Sequence, residues 1–342
     1  MKVKRKLIIA LVALFAAALM GGLVYFMPDI KMASGISDYT VKAIDLTTHG
    51  DRIYFLNTGS ADAILIESEG KFALVDGGED SDNPRGFEEL AFEGTETYVV
   101  DAIEKIAGDE NGKAVLDFVS GTHSHSDHIG GLDTVILDDN ITVKTVYIKK
   151  YDESKIKSYE IEKWDNKEVY EQLISACDKK GVSVIQDMSE EPFSFGNFTL
   201  KFCNTAETES TEPIGENENA VGLLIEKKGM RAFLAADINN YDGDEDRLSK
   251  ELGKINLLKV GHHGYDGSTG SDFVRALSPE FAVVTNKKGG ISRKPLQNLN
   301  SVNALVFETG NYKGIVAEFT KDKIVLYGNI DEALLGIESS KR

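Results

Sequence analysis

Residues 122–131 read Thr122-His-Ser-His-Ser-Asp-His-Ile-Gly-Gly131, and this run decides what the chain folds around. Four metal-capable side chains, His123, His125, Asp127 and His128, fall within six positions. In an extended segment residues i and i+2 project to one side, so His123 and His125 face one ion together. Asp127 and His128 then turn toward a neighbouring position as the chain rounds the Gly-Gly corner. Imidazole nitrogen mixed with carboxylate oxygen is a donor set for zinc and similar first-row ions. A polar surface turn, with Asp127 capping the next helix, is the plain alternative. The distribution of histidine speaks against it, because three of the six in the chain lie here.

The remaining histidines extend the pattern. His262 and His263 stand in Lys-Val-Gly-His-His-Gly, directly after the mostly apolar run 255–260, which reads as a buried strand. Alone, such a pair is equally well a core pair satisfied by backbone carbonyls; beside the first cluster a ligand role is favoured. Phe233-Leu-Ala-Ala-Asp237-Ile238 is an apolar strand ending in one carboxylate, a position that by itself suits a turn or cap residue. His49, in Thr-Thr-His-Gly-Asp, reads as a solvated loop residue.

These elements, in this order, resemble the metallo-β-lactamase superfamily of binuclear hydrolases. Phe55 through Ile66, followed by Phe72-Ala-Leu-Val-Asp76-Gly-Gly, is similar to that family's opening hairpin, whose Asp-Gly supports the metal loop. The resemblance implies that His123, His125, Asp127 and His128 are metal ligands. It implies that Asp237 is the carboxylate bridging two metals and that His262 is the final histidine ligand. Two branches are similar: the extracellular hydrolase domain of DNA-uptake competence channels, and the cell-wall phosphorylcholine esterases of teichoic acids. The chain departs from the fullest family pattern in one respect. No histidine lies between His128 and His262, so the third histidine of the first metal position is absent, and Asn219 occupies roughly that region. The implied cofactor is one or two zinc ions, with manganese as an alternative.

The chain of 342 residues opens Met1-Lys-Val-Lys-Arg-Lys6 and then runs from Leu7 to Met27 without a charge. At 1.5 Å per residue such a run spans about 30 Å, a bilayer core. It is longer than the apolar region of a secretory signal, and the basic residues before it hold the N-terminus inside. The expectation is a single-pass membrane anchor with the remainder outside the cell; secretion after cleavage is the alternative. Net charge is −18, so nucleic acid is a disfavoured partner, because binders of phosphate backbones carry a basic face. The two cysteines, Cys177 and Cys203, have no metal-ligand spacing and read as buried free thiols.

In chain order the reading is a basic cytoplasmic segment (1–6), the anchor (7–27), a linker (28–38), one hydrolase domain (39–330) and a loose tail (331–342). Within the domain, strand-like runs at 52–57, 62–67, 72–76, 116–120, 143–148, 182–185, 193–203, 221–226, 257–260 and 281–285 alternate with helical ones at 98–106, 167–179 and 271–277. A hairpin pairs 314–319 with 323–327, and acidic loops fill 79–96 and 205–219. The expected architecture is α/β, a four-layer αββα sandwich with the strand-end ligands converging at one edge.

Such ligands permit hydrolysis, since a bound divalent ion lowers the pKa of water from 15.7 toward ~7. Asp127 either ligates or orients the nucleophile. His263 either donates a hydrogen bond to developing negative charge or stands behind the ligands, held by a carboxylate. Side-chain nucleophiles lack support: no Gly-x-Ser-x-Gly occurs and neither cysteine has a histidine nearby. The segment 151–170 carries the lone tryptophan, Trp164, with Tyr151, Tyr159 and Tyr170 among acidic residues. Aromatic faces beside carboxylates suit a quaternary ammonium group, and packing of these rings on the core is the alternative. The expected activity is a cell-surface phosphodiesterase on a small or cell-wall phosphoester, in one version phosphorylcholine-directed. A nuclease of the DNA-uptake type and a non-catalytic binding domain are the alternatives.

Overall fold

A computed structural model of the chain describes residues 41–81, 93–206 and 212–340. The segments expected as basic start, anchor and linker lie outside the described residues, as does most of the acidic loop 79–96. Among the described residues no helix is long and apolar enough to cross a membrane.

The strands are β1 (Lys42–Ala43), β2 (Arg52–Phe55), β3 (Ile64–Ser68), β4 (Lys71–Val75), β5 (Ala114–Ser120), β6 (Ile141–Val143), β7 (Thr145–Tyr147), β8 (Ser183–Ile185) and β9 (Phe193–Phe195). They continue with β10 (Phe198–Cys203), β11 (Gly222–Lys227), β12 (Met230–Leu234), β13 (Leu257–Lys259), β14 (Phe281–Val284), β15 (Leu305–Glu308), β16 (Ile315–Phe319) and β17 (Ile324–Gly328). One sheet has the order β1-β17-β16-β2-β3-β4-β5-β7-β8, with β6 also on β5; the other has β15-β14-β13-β12-β11-β10-β9. Each is built alike. In the first, β2, β3 and β4 run antiparallel before parallel β5, β7 and β8. In the second, β10, β11 and β12 run antiparallel before parallel β13, β14 and β15.

Side-chain alternation explains why these strands are apolar nearly throughout. Ile53, Phe55, Ile64, Ile66, Ala73 and Val75 point to the inner face, against Leu200, Leu223, Ile225, Ala232 and Leu234 of the other sheet. Their neighbours Tyr54, Leu65, Phe72 and Leu74 point outward, against Val99, Ile103, Val135, Val169 and Leu173 of the covering helices Glu96–Ala107, Leu132–Leu137 and Asn166–Lys180. A strand buried on both faces loses the polar alternation of a solvated sheet. On the far side, Phe233 meets Phe273 of the helix Ser271–Leu277 with ring centroids 6.5 Å apart. The expected αββα sandwich is therefore present, with two mixed sheets, and Cys177 and Cys203 are buried and free.

Two expectations change. The run 193–203 is a hairpin, turning at Gly196 between β9 and β10. The segment 331–342 is not a loose tail: Ile330–Ser340 is a helix whose Ile330 and Leu334 are buried one turn apart. Asp331 anchors it, accepting from Tyr98 Oη at 2.7 Å and Asn57 Nδ2 at 2.9 Å. His49 stays exposed as expected, although its Nδ1 lies 2.7 Å from the buried Glu67 Oε1.

The glycines that frame the histidine motif are explained by backbone approach. Gly77 N donates to His128 O at 2.6 Å, and Gly131 N donates to Gly78 O at 3.1 Å, so Asp76-Gly-Gly and Ile129-Gly-Gly lie main chain to main chain. A Cβ on Gly77 would sit 2.8 Å from Leu132 N, and one on Gly131 would collide with the Gly77 carbonyl. The expected result of Gly77→Ala is a loss of about 1–3 kcal/mol of stability, read from denaturant unfolding. A wild-type midpoint with unchanged slope would show that this contact is not tight.

Candidate metal centre

Every side chain of interest sits just past the end of a strand. β4 runs into Asp76, β5 into the segment 122–128, β12 into Asp237, and β13 into the turn Gly261–Gly264. Four of these positions are held in the left-handed region: Asp76 (φ 59°), Ala236 (φ 47°), His262 (φ 47°) and His263 (φ 49°). Non-glycine residues adopt it at a cost of order 1–3 kcal/mol each, and such strain gathers at functional sites. At the histidine pair it sends adjacent rings to different places. His263 is 1% exposed, whereas the His262 side chain is 30% exposed.

Two groups of ligand-type atoms result. In one, His128 Nε2 and His263 Nε2 face each other at 3.1 Å. Asp237 Oδ1 lies 3.1 Å from His128 Nε2 and 3.4 Å from His263 Nε2, and Asp127 Oδ2 lies 3.1 Å from His263 Nε2. In the other, His123 Nε2 lies 3.1 Å from His125 Nδ1 and 3.9 Å from Asp237 Oδ2. Asp237 thus turns one oxygen to each group, and its Oδ1 is buried without a hydrogen-bond partner.

The outer nitrogens show what the inner ones carry. His128 Nδ1 lies 2.8 Å from Asp76 Oδ2, so Nδ1 holds the proton and Nε2 presents a lone pair. His263 Nδ1 faces Thr285 O at 3.2 Å and Asp62 Oδ1 at 3.4 Å, with the same consequence. Thr122 Oγ1 donates to Asp76 Oδ2 at 2.8 Å, leaving its lone pair for His123 Nδ1–H at 3.1 Å; His123 Nε2 is then a lone pair as well. At His128, His263 and His123, inward lone pairs thus converge with carboxylate oxygens of Asp237 and Asp127, and a cation satisfies such a set. Imidazole and carboxylate suit zinc and related first-row ions, so the residues fit a divalent metal.

The electrostatics show that the surrounding acids demand positive charge here. Burial disfavours the charged ring of His263, but Asp237, Asp62 and Asp127 outweigh it and push its pKa up to about 10, so a proton takes the Nε2 position whenever no other cation does. Burial, followed by His128 and His125, holds His123 well below the ordinary histidine value, as a neutral ligand requires. Behind the acids stands the fully buried Lys259, whose Nζ pairs with Asp62 Oδ2, donates to Ala236 O at 2.9 Å and lies 3.9 Å from Asp237 Oδ1. Burial alone would raise Asp62, yet Lys259, His263 and His128 hold it below the usual carboxylate range.

His123, His125, Asp127, His128 and Asp237, all expected at the site, are brought together. The histidine pair changes places relative to expectation. His263, read as a hydrogen-bond donor or supporting residue, is the one that converges with His128, Asp127 and Asp237. His262, read as the final ligand, lies on the cavity side, with Nε2 3.8 Å from Asp237 Oδ2. The left-handed turn is the cause, and sequence spacing does not reveal it. Asn219 Nδ2 donates to Glu216 Oε2 at 3.1 Å, while Asn217 Nδ2 contacts His262 Nε2 at 3.3 Å. Asp76 supports the motif as expected, accepting from Thr122 N at 2.8 Å. Asp62 and Lys259 went unread as site residues. The signal for Lys259 was a charge inside an apolar strand, which demands a buried partner.

Members of both groups, His125, Asp127 and Asp237, open into a cavity of about 1020 Å³. His125, Asp127, Asp237 and His262 form its floor; Tyr98, Tyr159, Trp164 and Tyr265 stand in its walls with Glu79, Glu93, Glu160 and Asp165. Lys287 is the one lysine or arginine among the described lining residues. Trp164 Nε1 donates to Tyr159 Oη at 3.2 Å, so the two rings stand together at the mouth. The aromatics of this segment therefore line the cavity in part, rather than packing wholly on the core.

Residues 56–193 match a family model described as the metallo-beta-lactamase superfamily. ComE operon protein 3 of Bacillus subtilis (strain 168) is 28% identical over 185 residues, covering 54% of this chain and 22% of that protein. The chain thus corresponds to less than a quarter of that relative's length. Among solved structures, the metallo-beta-lactamase fold protein YhfI from Bacillus subtilis is 14% identical, with a TM-score of 0.45 over 75% of this chain and 95% of that one. CmlA, a diiron beta-hydroxylase from Streptomyces venezuelae, is 12% identical, with a TM-score of 0.42 over 76% of this chain and 53% of that one.

Removing Lys259 takes from the buried Asp62 its largest source of compensating charge and leaves its carboxylate to the imidazoles alone. Lys259→Met is expected to lower the unfolding free energy of the metal-stripped protein by roughly 3–5 kcal/mol, measured by chemical denaturation. Retained stability in that variant would show that the acids are balanced by another group.

Proposed function

We infer that this chain, which belongs to the metallo-beta-lactamase superfamily and is a metal-dependent hydrolase, is a phosphodiesterase acting on esters with a cationic head group. Two ion positions are proposed: one at His123, His125 and Asp237, the other at Asp127, His128, Asp237 and His263. Zinc is the proposed ion, with manganese as the alternative. Ions held there would supply Lewis-acid polarisation of a phosphoryl oxygen and acidify water. The chain's own groups do the rest. Asp237 holds the two positions together with its separate oxygens. His262 lines the cavity with its Nε2 accepting from Asn217 Nδ2, so its proton sits on Nδ1, and that N–H is the donor proposed for negative charge developing on the substrate. Tyr265, stacked edge-on with its ring 5.5 Å from His262, limits where that imidazole turns.

The observation that carries the substrate reading is the character of the cavity wall. Aromatic faces beside carboxylates attract a quaternary ammonium group. Tyr159, Trp164, Glu93 and Asp165 provide both on one cavity, while Lys287 is available for a phosphate oxygen. The same acidity works against a duplex, whose affinity comes from cations neutralising phosphates. The similarity to ComE operon protein 3 favours a second reading, a nuclease of the DNA-uptake type.

Two outcomes are expected. Elemental analysis of the full chain should find fewer ions in His263→Ala, whereas His262→Ala should keep its ions and lose turnover by about 10²–10³-fold. An unaltered ion count in His263→Ala would remove it from the ligand set. In a substrate comparison under zinc and manganese, a choline phosphodiester should turn over and single- and double-stranded DNA should not. DNA cleavage lost in Asp237→Asn, without choline ester turnover, would favour the second reading instead.

A further inference from the structure

Three of the four ligand-type imidazoles are oriented from behind by groups at or near strand ends of the sandwich: His128 by Asp76, His263 by Asp62 and Thr285, and His123 by Thr122. His125 is different. Its Nδ1 faces His123, and its Nε2 is buried without a formed hydrogen bond. Among the described residues, the carboxylate at ion-pair distance from that nitrogen is Glu160 Oε2, 3.5 Å away. Glu160 belongs to the short helix Ser158–Lys163 in the cavity wall, next to Tyr159 and one turn before Trp164.

We propose that Glu160 is the positioning residue for His125, fixing which nitrogen it presents to the first ion position and tying that position to the substrate-facing wall. The inference rests on the metal reading above. Glu160 is itself held in place: its Oε2 accepts from Glu216 N at 3.0 Å and from Asn166 Nδ2 at 3.3 Å, and its side chain is 8% exposed. Glu216 in turn accepts from Ser124 N at 3.0 Å, so Glu160, Glu216 and the segment 124–125 close a ring around His125. Gly215 makes this approach possible, since a Cβ there would lie 2.7 Å from Glu160 Oε1. With its carboxylate opposite Nε2, His125 keeps its proton on Nε2 and offers Nδ1 inward, parallel to what Asp76 does for His128. Removal of such an outer carboxylate commonly costs 10–100-fold in metal affinity. Only the position served by His125 should feel it, because the other group has its own supports in Asp76 and Asp62. The arrangement also compensates for the histidine missing between His128 and His262: the position with fewer protein ligands is braced by a charged group on the wall.

The test is competition with a chromophoric chelator on the full chain, resolving the two zinc ions, for wild type, Glu160→Ala, Glu160→Gln and Trp164→Ala. Glu160→Ala should weaken one ion about 10–100-fold and leave the other unchanged. Glu160→Gln should be intermediate, since an amide oxygen still accepts from Nε2–H. Trp164→Ala, which alters the wall without touching His125, should bind both ions as wild type does. Wild-type affinity for both ions in Glu160→Ala overturns the proposal. So does a Glu160→Ala that fails to fold while Glu160→Gln binds both ions with wild-type affinity, because the role is then structural. A wild-type chain that takes up no zinc or manganese overturns the metal reading itself, and the proposal with it.

Discussion

Two imidazole nitrogens, His128 Nε2 and His263 Nε2, point lone pair to lone pair across 3.1 Å, with carboxylate oxygens of Asp237 and Asp127 at the same range. Uncompensated, that arrangement is repulsive. It persists because the outer face of each ring is fixed to an acceptor and because burial denies the inner atoms any water. Buried polar atoms without partners are rare enough in folded proteins to require an explanation, and here a cation is the simplest one. Much else follows from this constraint: the buried Lys259 behind the acids, the strained φ values of Asp76, Ala236 and the histidine pair, and the glycine contacts that seat the motif.

The geometry arises from two similar halves. Each sheet passes from an antiparallel meander into parallel strands, and the crossover happens at corresponding places, β4 to β5 and β12 to β13. In each half the strand before the crossover ends in an aspartate, Asp76 or Asp237, and the strand after it runs into the histidines, His128 or His263. Parallel neighbours bring their C-terminal ends to one edge, so the two sets meet where the sheets face each other. The halves then differ in use. Asp76 stands behind His128 as a support, whereas Asp237 faces both groups.

The cavity above this edge is shaped by segments that belong to neither repeat. The wall from Tyr159 to Asn166 and the loop carrying Asn217 are joined through Glu160 and Glu216, and both line the cavity that His125, Asp127 and Asp237 share. The side chains that meet a molecule in this cavity are largely aromatic and acidic. Fold similarity alone says nothing of this, because walls of this kind are independent of the sandwich beneath them.

Much of the protein was legible in order and type. Uninterrupted apolar runs such as 64–66 and 257–258 announced strands buried on both faces. The concentration of histidine at 123–128 announced a metal centre, and the helix 271–277 was legible to the residue. The C-terminal helix was misread as a tail because one buried turn, Ile330 with Leu334, is a weak periodic signal. The duplicated architecture left no visible sequence period, since pairing direction is a property of neighbours in space and not of either strand.

What the sequence determined by itself was the chemistry: which side chains hold lone pairs and charges, and that they follow strands whose ends meet at one edge. What only the tertiary structure decided was which atom faces which. Two adjacent histidines are equivalent on paper, yet a left-handed turn buries His263 with His128 and leaves His262 beside the cavity. Glu160, 35 positions after His125, carries no local sign of its role. The physical reason is that ligand chemistry is a property of residues, whereas tautomer, exposure and partner are set by contacts between segments far apart in the chain.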